Sequence, residues 1–127
     1  MATSADHARV LLGLAADHEL AARSLIRVDG VTDAGIGFHA QQAVEQSLKA
    51  VLSVRGVKYP LTHDLGALLA CCEEHHIEMP QQLAGVDDLS PFADRLRCDI
   101  PTAARLDRDQ GMRSASCAVA WAHTLVR

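Results

Sequence analysis

Aromatic side chains are scarce in this sequence. Its 127 residues include two Phe, one Tyr and one Trp, at Phe38, Phe92, Tyr59 and Trp121. Strands favour aromatic and β-branched residues, so this scarcity argues against an all-β fold. Asn is absent, and Lys occurs only at 49 and 58 beside ten Arg. The net charge is −4, so there is no general basic footprint for nucleic acid. The longest charge-free apolar-rich run, residues 114–126, is too short to span a bilayer and carries His123. No basic n-region precedes an apolar core near the start, so the first residues do not read as a signal peptide. The chain is expected to be cytoplasmic. Cys71, Cys72, Cys98 and Cys117 show no CxxC spacing, and reduced, buried thiols are expected there. Gly-rich phosphate loops, HExxH and GxSxG are all missing.

What is abundant points one way. There are 21 Ala and 16 Leu, the strongest helix formers. Caps and breakers divide the chain into four main helices, expected at about 4–28, 36–55, 62–76 and 107–126. Thr3 or Ser4 is expected to cap the first, with Val10, Leu11, Leu14, Leu20, Leu25 and Ile26 on its packed side. Residues 29–35 read as a polar break and Gly56 as a stop. Thr62 is expected to cap the third helix, with Asp64 in its first turn near the positive dipole end. Short helices are expected from 81 to 86 and from Ser90-Pro91 towards Arg97, with Ser as N-cap and Pro at the first helical position. Short links make sequential helices antiparallel neighbours. The expected fold is therefore all-α, a four- to five-helix up-and-down bundle forming one domain over 1–127.

The second helix is the informative one. At about 100° per residue, Ala40, Val44, Leu48 and Val51 centre a wide apolar arc. Gln42, Gln46, Lys49, Ser53 and His39 form its polar back. Gln41 falls inside the arc and Glu45 at its edge, one turn apart. A buried amide or carboxylate must find partners or cost about 1–3 kcal/mol. Two readings stay open: a pair tied to neighbouring helices or a subunit interface, and a polar pocket facing a ligand.

The same stretch carries a resemblance. Residues 38–50, Phe-His-Ala-Gln-Gln-Ala-Val-Glu-Gln-Ser-Leu-Lys-Ala, resemble the signature of the HEPN domain family. Residues 56–69 resemble the family's "G…P.THDL..LL" segment, and 89–97 its "L(T/S)xYA…RYP" segment. In the last of these, Arg97 is followed by Cys98 and Asp99, a departure that puts any role of the Tyr in doubt. The resemblance implies a helical bundle that dimerises, often encoded beside a minimal nucleotidyltransferase in toxin–antitoxin-like pairs. Ribonuclease branches of the family carry an Arg followed after four to six residues by a His. That suits phosphate holding and acid–base chemistry. No Arg here has a His at that spacing. Arg55 and His63 have seven residues between them, and Arg113 and His123 have nine.

The leading expectation is a non-catalytic nucleotide- or partner-binding module. It would be a homodimer acting with a nucleotidyltransferase-family partner. Its candidate ligand residues are Gln41, Glu45, Lys49, His63, Asp64, Arg95 and Arg97, and no residue is assigned a catalytic role. No cofactor is implied beyond a nucleotide ligand, and RNA is a further candidate partner. A ribonuclease toxin with an atypical active site and a purely structural dimerisation domain are the alternatives. Cys71 with His75 and Cys72 with His76 are i, i+4 pairs that zinc can use, but they face different ways on one helix. No metal site is assigned.

Overall fold

Thr3 and Asp6 set the first helix by a reciprocal pair of hydrogen bonds. The Asp6 amide donates to Thr3 Oγ1 at 3.1 Å, and the Thr3 amide donates to Asp6 Oδ2 at 2.9 Å. The computed structural model describes residues 3–93 and 105–126. Among these residues there are four α-helices, α1 (Ser4–Leu25), α2 (Asp33–Val54), α3 (Leu65–Glu74) and α4 (Arg108–Val126). Two 3₁₀ segments, Gln81–Leu83 and Val86–Phe92, join α3 to the segment before α4. The expected all-α bundle is what the structure shows. The described residues hold no strand and no helix long and apolar enough to cross a membrane.

Several local expectations shift. α2 begins at Asp33, inside the stretch expected to be a break, because Thr32 Oγ1 accepts from the Gly35 amide. Arg108 then bonds Asp33 Oδ1 at 2.7 Å and the Val31 carbonyl at 2.8 Å, tying the start of α4 to this entry. On α1 the packed side is Ala8, Leu11, Leu12, Ala15 and Ala22, whereas Val10, Leu14 and Leu20 are exposed. Alanines seven residues apart let α1 lie close along α2, which turns the bulkier side chains outward.

α2 is the central helix, packed against α1, α3, α4 and the second 3₁₀ segment. Its expected polar back is therefore covered. Gln42 and Ser53 are buried, and His39, Gln46 and Lys49 are half-buried. Gln41 and Glu45 are among the largest fully buried side chains of the molecule. Of the few bulky aromatics expected in the core, only Phe92 is buried; Phe38 and Trp121 are half-buried.

The start of α3 is capped largely from outside. Asp64, not Thr62, is the N-cap, and its carboxylate accepts from the Ala67 amide. Thr62 Oγ1 accepts from the Asp64 amide one step earlier. The other first-turn amides are taken by the second 3₁₀ segment. Leu65 N–H donates to Ser90 Oγ at 3.1 Å, and Gly66 N–H donates to Asp87 Oδ1 at 3.1 Å. Ser90 in turn donates to Asp87 at 2.7 Å. Ser90 and Pro91 thus lie within a 3₁₀ segment, and the Ser90 hydroxyl serves another helix; the rest of the short helix expected towards Arg97 lies outside the described residues. Ser90→Ala is expected to destabilise the fold by about 1–2 kcal/mol, the cost of a lost cap. Thermal unfolding checks this, and an unchanged midpoint would rule the cap out.

Candidate functional site

Glu45 sits at the middle of α2 with its side chain 1% exposed. A lone carboxylate there would be heavily penalised, so it must be surrounded by donors. It is. Oε1 accepts from Gln41 Nε2 at 3.0 Å, Gln42 Nε2 at 3.2 Å and His63 Nδ1 at 2.9 Å. Oε2 accepts from Lys49 Nζ at 3.0 Å and Gln46 Nε2 at 3.3 Å. Four of these donors come from α2 itself, at offsets of −4, −3, +1 and +4 from Glu45. These are helical neighbours, or nearly so.

The three glutamines close the network. Gln41 uses its second amide hydrogen on the His63 carbonyl at 3.0 Å. Gln42 donates to Gln41 Oε1 at 2.7 Å, and Gln46 donates to Gln42 Oε1 at 3.2 Å. Among the described residues no buried side-chain polar atom is left without a partner. Burial pushes the Glu45 carboxyl up, but the bonds from Gln41, His63 and Lys49, with the Lys49 charge, outweigh it. The net result is a carboxyl held below its ordinary value, and hence ionised.

An ionised carboxylate only accepts, so the hydrogen in the Glu45–His63 bond belongs to Nδ1. That places the hydrogen on Nδ1 and leaves Nε2 without a hydrogen bond among the described residues. The two partners differ sharply in exposure. Glu45 is buried, while the His63 side chain is 70% exposed. The outcome is an imidazole presented to solvent in a set orientation, held from beneath by a buried charge. Such an imidazole is placed to hydrogen-bond a ligand hydroxyl.

Lys49 faces Glu45 on one side and lies 5.7 Å from the centre of the Tyr59 ring on the other. Tyr59 Oη is 3.0 Å from His7 Nε2, which links the α2–α3 loop to α1. Burial and the Glu45 charge both push the Tyr59 hydroxyl pKa up. His18 Nδ1 and His39 Nδ1 lie 3.0 Å apart between α1 and α2. Burial lowers the His18 pKa, against opposing pulls from Asp17 and Glu45.

The structure brings Gln41, Glu45, Lys49 and His63 into one cluster. Asp64 stands beside it but is spent on capping α3. Arg95 and Arg97 lie outside the described residues. Sequence reasoning missed Gln42 and Gln46, which it placed on the polar back of the helix. The missed signal was the spacing: Gln42 lies three before Glu45, and Gln46 four after Gln42. Cys71 and Cys72 are buried in α3, and His75 and His76 are exposed. Burial, with nearby Cys71 and Glu73, pushes the Cys72 thiol up to about 12, so it is inert. Among the described residues no three His, Cys, Asp or Glu side chains are placed to hold a metal ion.

Searches of curated proteins and of solved structures found no match to this chain. A family model described as the HEPN domain matches residues 14–122, a span that takes in most of α1, all of α2 and α3, and most of α4. With the Gln41–Glu45 pair and His63-Asp64 inside that match, the chain belongs to the HEPN domain family.

Proposed function

We propose that this HEPN chain, acting as one unit over 1–127, is a binding module for a nucleotide or a protein partner. The observation that carries this reading is the exposed His63 imidazole oriented by a fully buried Glu45. Well-packed apolar residues in place of Glu45, Lys49 and the glutamines together would be as stable or more so, because burying a charge pair rarely adds net stability. A network of five donors around one carboxylate therefore makes better sense as a device that aims His63. Arg95 and Arg97 are proposed to add guanidinium contacts to phosphate, the geometry for which Arg is suited. The partner we propose is a minimal nucleotidyltransferase encoded nearby in a toxin–antitoxin-like pair, with this chain as a cytoplasmic homodimer. The missing Arg-x4-6-His spacing supports binding over cleavage.

The test is thermal unfolding with and without a panel of nucleoside mono-, di- and triphosphates, alongside co-purification with the product of the adjacent gene. A nucleotide-dependent rise in melting temperature, or capture of the partner, is expected for the wild type and is expected to be lost in His63→Ala. No shift and no capture would leave only a structural dimerisation role.

One observation favours a second reading. Nε2 of His63 has no hydrogen bond among the described residues, and its opposite nitrogen is held by a carboxylate, the arrangement of a general acid–base. A ribonuclease with an atypical active site would use it so. Cleavage of RNA by the purified protein, abolished in His63→Ala, would establish that reading and displace the first.

A further inference from the structure

One cleft lies away from the Glu45 cluster and shares no residue with it. A cleft of about 610 Å³ opens where the end of α2, the turn after α3 and the last turns of α4 meet. That volume is within the range of small-molecule sites. The residues on its wall that matter here are Arg55, His76, Glu78, Met79, Pro80 and Trp121.

Three observations set this cleft apart. The first is Trp121, the chain's sole tryptophan. Its Nε1 donates to the Glu78 carbonyl at 3.1 Å, which satisfies the indole N–H and fixes the ring. With Met79 and Pro80 beside it, the ring supplies an apolar wall suited to a flat partner. The second is Arg55, exposed at the C-cap of α2, whose guanidinium has no hydrogen bond or ion pair among the described residues. The third is His76, the only described non-glycine residue in the left-handed region, at φ 55°. It sits just past the α3 C-cap, where glycine is the usual residue and a side chain costs conformational energy. Backbone cost of this kind collects where a side chain is needed for contact.

We infer that this cleft binds a small molecule with a flat ring and an anionic group. The ring stacks on Trp121. The phosphate or carboxylate is held by Arg55, whose fork matches either anion in a bidentate contact. His76 adds a second contact to the anion. Glu78 also lines the cleft, so its carboxylate accepts from an N–H or O–H on the far side of the ligand. A nucleoside monophosphate with an exocyclic amine and an aromatic amino acid both meet this description.

The single tryptophan makes the test direct. Trp121 emission, excited beyond nucleotide absorption, is followed during titration with adenosine 5′-monophosphate, with phenylalanine and with inorganic phosphate. A saturable change with one of the first two, and none with phosphate alone, is expected, and which of the two acts identifies the source of the ring. Arg55→Ala is expected to weaken that binding about tenfold or more, the loss of one charge-assisted contact. His76→Gly is expected to weaken binding while raising the melting temperature, because glycine suits the left-handed backbone. This separates a ligand contact from damage to the fold. No emission change with either ring compound up to about 10 mM, where even a weak site would fill, overturns the inference. The same response to phosphate alone, or unchanged affinity in Arg55→Ala, also overturns it.

Discussion

Glu45→Ala is expected to destabilise the protein by about 3–5 kcal/mol, the cost of breaking a buried charge pair by removing one partner. The loss has several parts. Lys49, its side chain 12% exposed, would keep its charge without a counter-ion. Three glutamine amides would each lose an acceptor in a place water reaches poorly, and the solvent-exposed His63 would lose the partner of its Nδ1. Urea unfolding measures the change, and a loss under about 1 kcal/mol would show that the network relaxes around the gap. Glu45→Gln separates charge from shape, because it keeps the volume but turns one oxygen into a donor facing other donors. The pH dependence follows from the direction of the shift. The folded carboxyl is held below its ordinary value, so its stabilisation is complete above the unfolded pKa of about 4.3. It is lost as pH falls from there through the lower folded value. The stability gap between wild type and Glu45→Gln should therefore shrink on acidification below that point. A gap that stays constant would mean that the Glu45 charge contributes nothing.

Phe92→Ala should cost about 3–5 kcal/mol, the usual figure for emptying a large aromatic site. Phe92 is 3% exposed and packs against the bare backbone of Gly37 on α2. A Cβ at Gly37 would lie 2.6 Å from Cγ and Cδ1 of that ring. Gly37→Ala is thus expected to destabilise by about 1–3 kcal/mol through overpacking. It does so although alanine in a helix is favoured over glycine by up to about 1 kcal/mol. The two changes should not add. With Phe92 already alanine, the space at Gly37 is open, and the second substitution should be neutral or stabilising. Equilibrium unfolding of the two single variants and the double variant measures the coupling; simple additivity would show that the ring and the glycine are independent. The site depends on this contact too. Phe92 pins the 3₁₀ segment whose Ser90 and Asp87 cap α3, and α3 begins two residues after His63.

Much of the local structure was legible in the residues. A cap at Thr3 or Ser4, the stop at Gly56 and the acidic opening of α3 follow from backbone rules that act within a few residues. Gln41 and Glu45 were legible as misfits, because a polar residue on an apolar arc can be seen on a helical wheel. Ser90 was misread for the opposite reason. Its hydroxyl was assigned to its own neighbours, whereas the chain folds it onto an amide 25 residues away. Val10, Leu14 and Leu20 were misread because size was taken as a sign of burial. In a bundle this rich in alanine, close approach selects the small face instead.

The sequence by itself determined an all-helical fold class, the start of α1 and the stop of α2 at Gly56, and membership of a family through residues 38–50 and 56–69. These are set by propensity, capping and periodicity, which are local and repeat with the helix. Only the tertiary structure decided that the polar back of α2 would be covered. It alone brought His63 over Glu45 from 18 residues away, and set Trp121 beside Arg55 and His76. The reason is physical. A helix needs only its own few turns to form, whereas burying α2 on all sides requires four other elements. A carboxylate becomes a device for holding an imidazole only once those elements have removed the water around it.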